Sequence, residues 1–336
     1  MSTLHGAPAR FEAGLRELAG GVHAWMQPNG SWGESNAGLV AGDGESLLVD
    51  TLWTPALTRR MLDAMAPLTA PAPIRTLVNT HSDGDHTWGN QELSGAEIVA
   101  TEAAKEELGE LTPGAMAAFR KLAGVLSAGR RLGVPGGAAG PYVQAMLRPF
   151  DFTDVRVTPP TRTFEGALAL DVGGRRVELI QVGPGHTQGD LLVWVPDARV
   201  VFAADVMFVG ITPVMWAGPV GRWIAALDRI EALDAAAVVP GHGPVCGLDE
   251  VRALRTWWTE IDEAAQLHFA EGRSPLQAAR EIVAAGGDWT SWDGPERVVI
   301  SVHTIYRHLS LDAGGVSPLQ RIRIFAEVGA LAAELG

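Results

Sequence analysis

The run Asn79-Thr80-His81-Ser82-Asp83-Gly84-Asp85-His86 crowds two imidazoles and two carboxylates into six residues. Donors gathered this way hold one divalent ion, or two ions sharing a bridging water. Taken alone, the run reads equally well as a solvated polar loop. A calcium loop is the other reading, because Asp83 and Asp85 have the spacing of its first ligands. It fails, since the required turn glycine falls at Trp88 and the closing glutamate at Ser94. Three later segments decide the matter. Gly183-Pro184-Gly185-His186 puts a histidine in a glycine turn after an apolar stretch, and Val239-Pro240-Gly241-His242 does so again. Val201-Phe202-Ala203-Ala204-Asp205 ends an apolar run on a carboxylate, which is costly unless that carboxylate is paired or bound to metal. Any one of these is more often a turn histidine or a capping aspartate. Four of them, each after a strand-like run, argue for one site at strand ends.

In order and spacing these residues resemble the metallo-β-lactamase superfamily, whose signature is HxHxDH followed by a distant His, Asp and His. His86 to His186 is 100 residues, His186 to Asp205 is 19, and Asp205 to His242 is 37. Asp50 stands where that family keeps an early structural aspartate, and the resemblance covers about residues 20–243. It implies a four-layer αβ/βα sandwich with two divalent ions, zinc by expectation, at one edge between the sheets. By the same resemblance His81 and His186 serve the first ion, Asp85, His86 and His242 the second, and Asp205 bridges them. Asp83 breaks the pattern, standing where most members have histidine. A carboxylate there makes the first site harder and draws iron or manganese into consideration. The flavodiiron members carry a glutamate at that position, which keeps a redox reading open.

Two ions holding a water lower its pKa enough to supply hydroxide near neutral pH. Asp85 doubles as a candidate catalytic residue that orients the water or carries its proton, although an adjacent cation favours the ligand role. The sequence has no GxSxG elbow, and Cys246 lies in no nucleophile motif. The expected enzyme is a metal-dependent hydrolase, similar to glyoxalase II and thioesterases, acting on a thioester, ester or lactone with a hydrophobic acyl or aryl group. A di-iron oxidoreductase, a β-lactamase-type amide hydrolase and a non-catalytic binding protein are the alternatives. Trp88, Met207, Phe208, Met215 and Trp216 lie close to ligands in sequence and offer an apolar substrate face, which Trp32 and Trp53 can join. Any single one of the eleven tryptophans is more often core. Tyr306, with His303 and Arg307, falls on a C-terminal helix that can reach a pocket or present a solvated face.

These residues need strands to carry them. Runs at 22–27, 37–41, 46–50, 74–78, 167–172, 176–182, 191–195, 200–203 and 237–239 read as strands, and 55–65 and 221–233 as helices. Residues 101–132 turn Ala-, Glu-, Lys- and Leu-rich and read as a helical insertion, with a Gly/Pro break at 133–141. Beyond Leu248 the pattern is helical, with helix starts at Ser274-Pro275 and Asp293-Gly294-Pro295. The expected organisation is therefore a catalytic domain over 1–247, carrying the insertion at about 101–150, and a helical extension over 248–336 that supplies either a homodimer interface or a lid.

The whole chain has 336 residues, 47% hydrophobic and 19% charged, with 26 basic against 39 acidic side chains and a net charge of −13. That balance speaks against a nucleic-acid partner. The single cysteine makes no internal disulfide. The N-terminus has no apolar stretch of signal type, and no apolar run is long enough to span a membrane. A cytoplasmic enzyme with a small-molecule substrate is expected.

Overall fold

The computed structural model describes residues 2–129, 139–312 and 315–336. Twelve strands among them form two sheets. The first takes β1 (Gly14–Ala19), β2 (Val22–Met26), β3 (Ala37–Ala41), β4 (Ser46–Val49), β5 (Ile74–Val78), β6 (Glu97–Thr101) and β7 (Arg162–Phe164) in sequence order. Its pairing changes from antiparallel to parallel at β4–β5, where helix α1 (Pro55–Thr69) makes the crossover. The second sheet runs β12 (Ala237–His242), β11 (Val200–Phe208), β10 (Leu191–Val195), β9 (Arg175–Gln181) and β8 (Ala167–Val172). Its one parallel pair is β11–β12, joined through α6 (Val220–Ala232).

Alternation along the strands fixes the layers. Val22, Ala24, Val40, Leu47, Val49 and Val78 of the first sheet pack against Leu179, Val193, Phe202 and Val239 of the second. The opposite faces turn outward. Leu39, Leu48 and Leu77 meet Met61 and Met65 of α1. Leu192, Trp194 and Val201 meet Trp223 and Leu227 of α6 and, beyond it, Trp258 of α7 (Leu248–Ala270). The order helix, sheet, sheet, helix is the four-layer αβ/βα sandwich.

Strands β1 and β7 carry no clear apolar pattern; β6 does, with Ile98 and Val99 buried on opposite faces, but its short run was not among the expected strands. β1 is an edge strand with Arg16 and Glu17 exposed, so hydrogen bonding to β2 alone makes it a strand. β11 runs past its expected end at Ala203, continuing through Asp205 to Phe208 with all nine residues buried. Its register with β12 slips on either side of Ala204, which has φ 43°. That irregularity turns the Asp205 carboxylate out of the strand.

Two sets of helices complete the molecule. Residues 102–147 form α3 (Glu102–Glu107), α4 (Pro113–Gly129) and α5 (Ala139–Leu147). Of the break expected at 133–141, residues 133–138 lie outside the described residues and 139–141 open α5. Gly140 lets α5 cross α4 closely, because a Cβ there would meet Ser127 N at 2.4 Å. After α7 come α8 (Pro275–Ala285), α9 (Val298–Leu309) and α10 (Pro318–Leu335). Ser274 and Ser317 close reciprocal capping boxes with Gln277 and Gln320, and a proline takes the first turn of each helix. No described helix is long and apolar enough to cross a membrane.

Candidate metal centre

β5 ends at Val78, and Asn79 hands the chain to a loop and a single helical turn, α2 (Gly84–Thr87). Asp83 stands at the N-terminal end of that turn without a side-chain capping bond, which leaves its carboxylate to face His186, and Asp85 and His86 lie within the turn. His186 follows β9 in the loop tied by Thr187 and Asp190, whose side chains bond at 2.7 Å. Leu191 N donates to Thr80 O at 2.9 Å and locks the two loops together. His242 closes β12. Gly241 before it is obligatory, since a Cβ there would lie 1.9 Å from Asp205 Oδ1.

All four imidazoles are held by Nδ1. His86 Nδ1 donates to Asp50 Oδ2 at 3.0 Å, and His242 Nδ1 donates to Gly30 O at 3.0 Å. His186 Nδ1 donates to Val214 O. Thr80 Oγ1 spends its proton on Asp50 Oδ2 at 2.7 Å, so it accepts from His81 Nδ1 at 3.0 Å. These bonds fix the tautomer that leaves each Nε2 lone pair free, which is the arrangement of metal-ligating histidines. Backbone strain serves the same end. Of six described non-glycine residues at positive φ, Asn29 precedes the Gly30 carbonyl, Asp50 is itself an anchor, and Ala204 precedes Asp205.

The free nitrogens converge on the carboxylates. His186 Nε2 lies 3.1 Å from Asp83 Oδ2 and 3.4 Å from Asp205 Oδ2. His86 Nε2 lies 3.1 Å from Asp205 Oδ1, and His242 Nε2 lies 3.4 Å from Asp205 Oδ2 and 3.5 Å from Asp85 Oδ2. Donor atoms fall into two groups, His81 with His186 and Asp205, and Asp85 with His86 and His242, each within 4.8 Å. His81 Nε2, His86 Nε2 and Asp205 Oδ1 are buried without a hydrogen-bond partner. Buried orphaned acceptors of this kind fit a cation. Three aspartates among four neutral imidazoles carry a charge of −3, which suits two divalent ions.

The electrostatics agree. Burial together with its histidine neighbours pushes the His81 imidazole down to about 3. Burial also opposes charge on His86 and His186, but Asp205 outweighs it with help from Asp50 and Asp83. His86 is held well above its usual range and His186 at about 10. Burial raises both Asp83 and Asp205, yet the imidazoles prevail and hold Asp83 at about 2 and Asp205 well below the carboxylate range. Burial wins at Asp85, which is raised. Metal binding needs His86 and His186 neutral, so it releases protons and weakens at low pH.

The profile of the metallo-beta-lactamase superfamily matches residues 30–242. The chain belongs to that superfamily. The alpha subunit of 2,4-dinitroanisole O-demethylase from Nocardioides sp. (strain JS1661) is 28% identical over 211 residues, 60% of this chain and 51% of that one. The stereoselective inverting sec-alkylsulfatase Pisa1 from Pseudomonas sp. superposes with a TM-score of 0.66 at 17% identity, over 88% of this chain and 50% of that one. A metallo-beta-lactamase from Pontibacter korlensis gives 0.51 at 17% identity, over 74% and 99%. The last two likenesses are of fold. This chain spans about half the length of the O-demethylase subunit and of the sec-alkylsulfatase.

In this member of the superfamily the centre opens into a cavity of about 790 Å³. Phe208 and Trp216 line it, as do Trp32 and Trp53. Four expected substrate residues do not reach it, Met215 among them, fully buried in the core. Trp88 is 2% exposed and packs under the ligand turn against Trp53 and Phe152, where Gly84 leaves room for its ring. Met207 alternates away from the cavity into the core beneath α6. Tyr306 sits edge-on to Phe269 at 5.0 Å, away from the lining. His303 instead pairs with Glu327 at 2.7 Å. The lining residues that sequence reasoning missed, among them Met116, Phe119, Phe325 and two arginines, come from α4, α10 and the turn before α9. Their i, i+3, i+4 spacing looks like ordinary core, so only their shared destination marks them.

Proposed function

We propose that this chain is a dinuclear metal-dependent hydrolase of esters, thioesters or lactones bearing a large hydrophobic acyl or aryl group. The observation that carries this is the convergence of seven donor side chains, five of which (Asp83, Asp85, His186, Asp205 and His242) line an apolar cavity. Its walls, from Trp32, Trp53, Phe208, Trp216 and Phe325, match a hydrophobic organic group and exclude water from it. The two relatives named above act, by their names, on an aryl methyl ether and on alkyl sulfates, each with a hydrophobic part.

His81, His186, Asp83 and Asp205 would hold one ion and Asp85, His86, His242 and Asp205 the other. Bound there, the ions would supply an acidified water as nucleophile and polarise the scissile bond. Asp85, held beside His242 at 3.5 Å, would be placed to orient the attacking water or take up its proton in addition to serving as a ligand. Asp50 and Thr80 keep His86 and His81 aimed while charge changes beside them. Cys246, pushed up to about 12 by burial, takes no nucleophilic part.

Metal analysis of the purified protein, followed by a panel of acyl-CoA, acyl-glutathione, lactone and aryl-ester substrates, tests this reading. Two equivalents of divalent metal and chelator-sensitive turnover are expected. A protein that takes up no metal overturns it. A second reading rests on Asp83, whose carboxylate faces His186 at 3.1 Å. It makes the first site harder, with iron or manganese in place of zinc, and admits redox chemistry. Oxygen consumption by the iron-loaded protein with a chemical reductant decides between the two.

A further inference from the structure

The cavity contains two guanidinium groups in opposite situations. Arg321 lies over the Trp216 ring, 4.8 Å from its centroid, and pairs with Glu110 at 3.2 Å. Arg297 lies over the Trp32 ring at 4.2 Å and is 4% exposed. Among the described residues Arg297 has no ion pair. Its Nη2 makes one long contact, 3.5 Å to Ser31 Oγ, and its Nε has no partner. The adjacent Glu296 is engaged elsewhere, accepting from Tyr142 Oη at 2.8 Å, and that hydroxyl accepts from Trp32 Nε1 at 2.8 Å.

A buried guanidinium cannot shed its proton, and an unpaired buried charge is costly. The Trp32 ring offsets part of that cost. Apart from the long Ser31 contact, no other described residue pairs with it, in a chain whose net charge of −13 could have furnished a carboxylate at little expense. The position is also close to the chemistry. Ser31 follows Gly30, whose carbonyl anchors His242. The guanidinium thus stands beside the loop that orients a candidate ligand and lines the same cavity as Asp83, Asp85 and Asp205.

We propose that Arg297 is a specificity-determining residue that holds an oxyanion of the substrate, so that the enzyme acts on negatively charged hydrophobic esters in preference to neutral ones. This rests on the hydrolytic reading above. Two substrate types present that oxyanion. A sulfate ester carries it at the reacting end, and the monoester of a dicarboxylic acid carries it at the far end. In either case a guanidinium offers two parallel N–H groups to two oxygens.

Three congeners of one chain length test the assignment on the metal-loaded protein: a neutral para-nitrophenyl alkanoate, the para-nitrophenyl monoester of a dicarboxylic acid, and the alkyl sulfate. The wild type should favour one anionic congener by at least about tenfold in KM. Arg297→Met should raise KM for that congener about a hundredfold and leave the neutral ester within about twofold. Arg297→Lys should keep part of the preference, because it retains the charge and loses the fork. Calorimetric binding of a medium-chain alkyl sulfonate, with the matching alcohol as control, reads the same contact without turnover. Loss of sulfonate binding in Arg297→Met, in a protein that hydrolyses none of the three, leaves the assignment standing and removes the hydrolytic reading. Equal losses on charged and neutral congeners, or equal sulfonate binding to wild type and variant, overturn it. Should the methionine variant not fold, the wild-type preference and the lysine variant decide.

Discussion

At the floor of the cavity every imidazole has a hydrogen-bond partner behind it, whereas the roof is held mainly by apolar contacts, with the Arg321–Glu110 ion pair and the Ser127–Gln144 hydrogen bond beside them. His86 leans on Asp50, His242 on Gly30, and His186 on Val214. Above them α4, α10 and the loop after β11 meet through Phe119, Phe325 and Trp216, with ring centroids 5.6 and 6.2 Å apart, and α10 is tied to the turn before α4 by the Arg321–Glu110 pair. Metal chemistry tolerates little displacement of a ligand, so the floor is over-determined by hydrogen bonds. Apolar packing is non-directional, so a roof built from it accommodates substrates of varied shape. On the proposed function, one half would set whether the reaction occurs and the other on what.

Breaking the floor should give the largest effect. His86→Ala or Asp205→Ala removes a donor from the centre and leaves its buried neighbours unopposed. Hydrolysis should fall by more than about a thousandfold and bound metal should drop measurably, while far-ultraviolet circular dichroism stays unchanged. Wild-type metal content in both variants would remove these residues from the ligand set. Asp50→Asn, one step back, should cost about ten- to a hundredfold in metal affinity.

Breaking the roof should leave the metal alone. Phe325→Ala deletes the ring that links Trp32, Phe119 and Trp216. Turnover of bulky hydrophobic esters should then lose about tenfold in kcat/KM, largely through KM, with metal content as in the wild type. A variant that loses its metal would make the roof part of the scaffold, and the division between the two regions would fail.

The same division explains what could be read before the structure. His81, Asp83, Asp85, His86, His186, Asp205 and His242 are polar residues interrupting apolar runs, and such interruptions are conspicuous because burying them needs a reason. The sandwich came with the family resemblance and the strand runs agreed with it; β1 and β7 were silent because pairing rather than patterning makes them strands, and β6 was missed although Ile98 and Val99 face its two sides. The roof was legible only as composition. Phe119 and Phe325 lie 206 residues apart, each in an amphipathic helix, and nothing local tells a cavity-facing ring from a core-facing one. Sequence adjacency to a ligand misled at Trp88 and Met207, since neighbours in a strand or helical turn point to opposite sides. Arg297 was invisible for the converse reason: an arginine after Asp-Gly-Pro-Glu reads as surface, and only burial makes it unusual.

The smallest expected effect sits where roof and floor are tied. Glu107, at the end of α3, accepts from Ser82 Oγ of the ligand loop at 3.2 Å and from Gln188 N of the His186 loop at 3.1 Å. Burial raises its carboxyl from the usual 4.5 to about 7, against the Gln188 hydrogen bond and with the help of Asp83. A carboxyl raised on folding binds its proton more tightly in the folded chain. It therefore contributes stability that is fully present below pH 4.5 and is lost as the pH rises through about 7. The loss amounts to about 3 kcal/mol between those limits. Glu107→Gln keeps the shape and cannot ionise, so that part of the pH dependence should vanish. Thermal melts at pH 5 and pH 8 measure it, because other groups titrate alike in both proteins and cancel in the difference. Relative to the glutamine variant, the wild type should lose a few degrees of Tm on going to pH 8. Identical pH dependence in the two proteins would mean that the carboxyl is solvated enough to ionise normally, and that α3 rests on the ligand loops without being fastened to them.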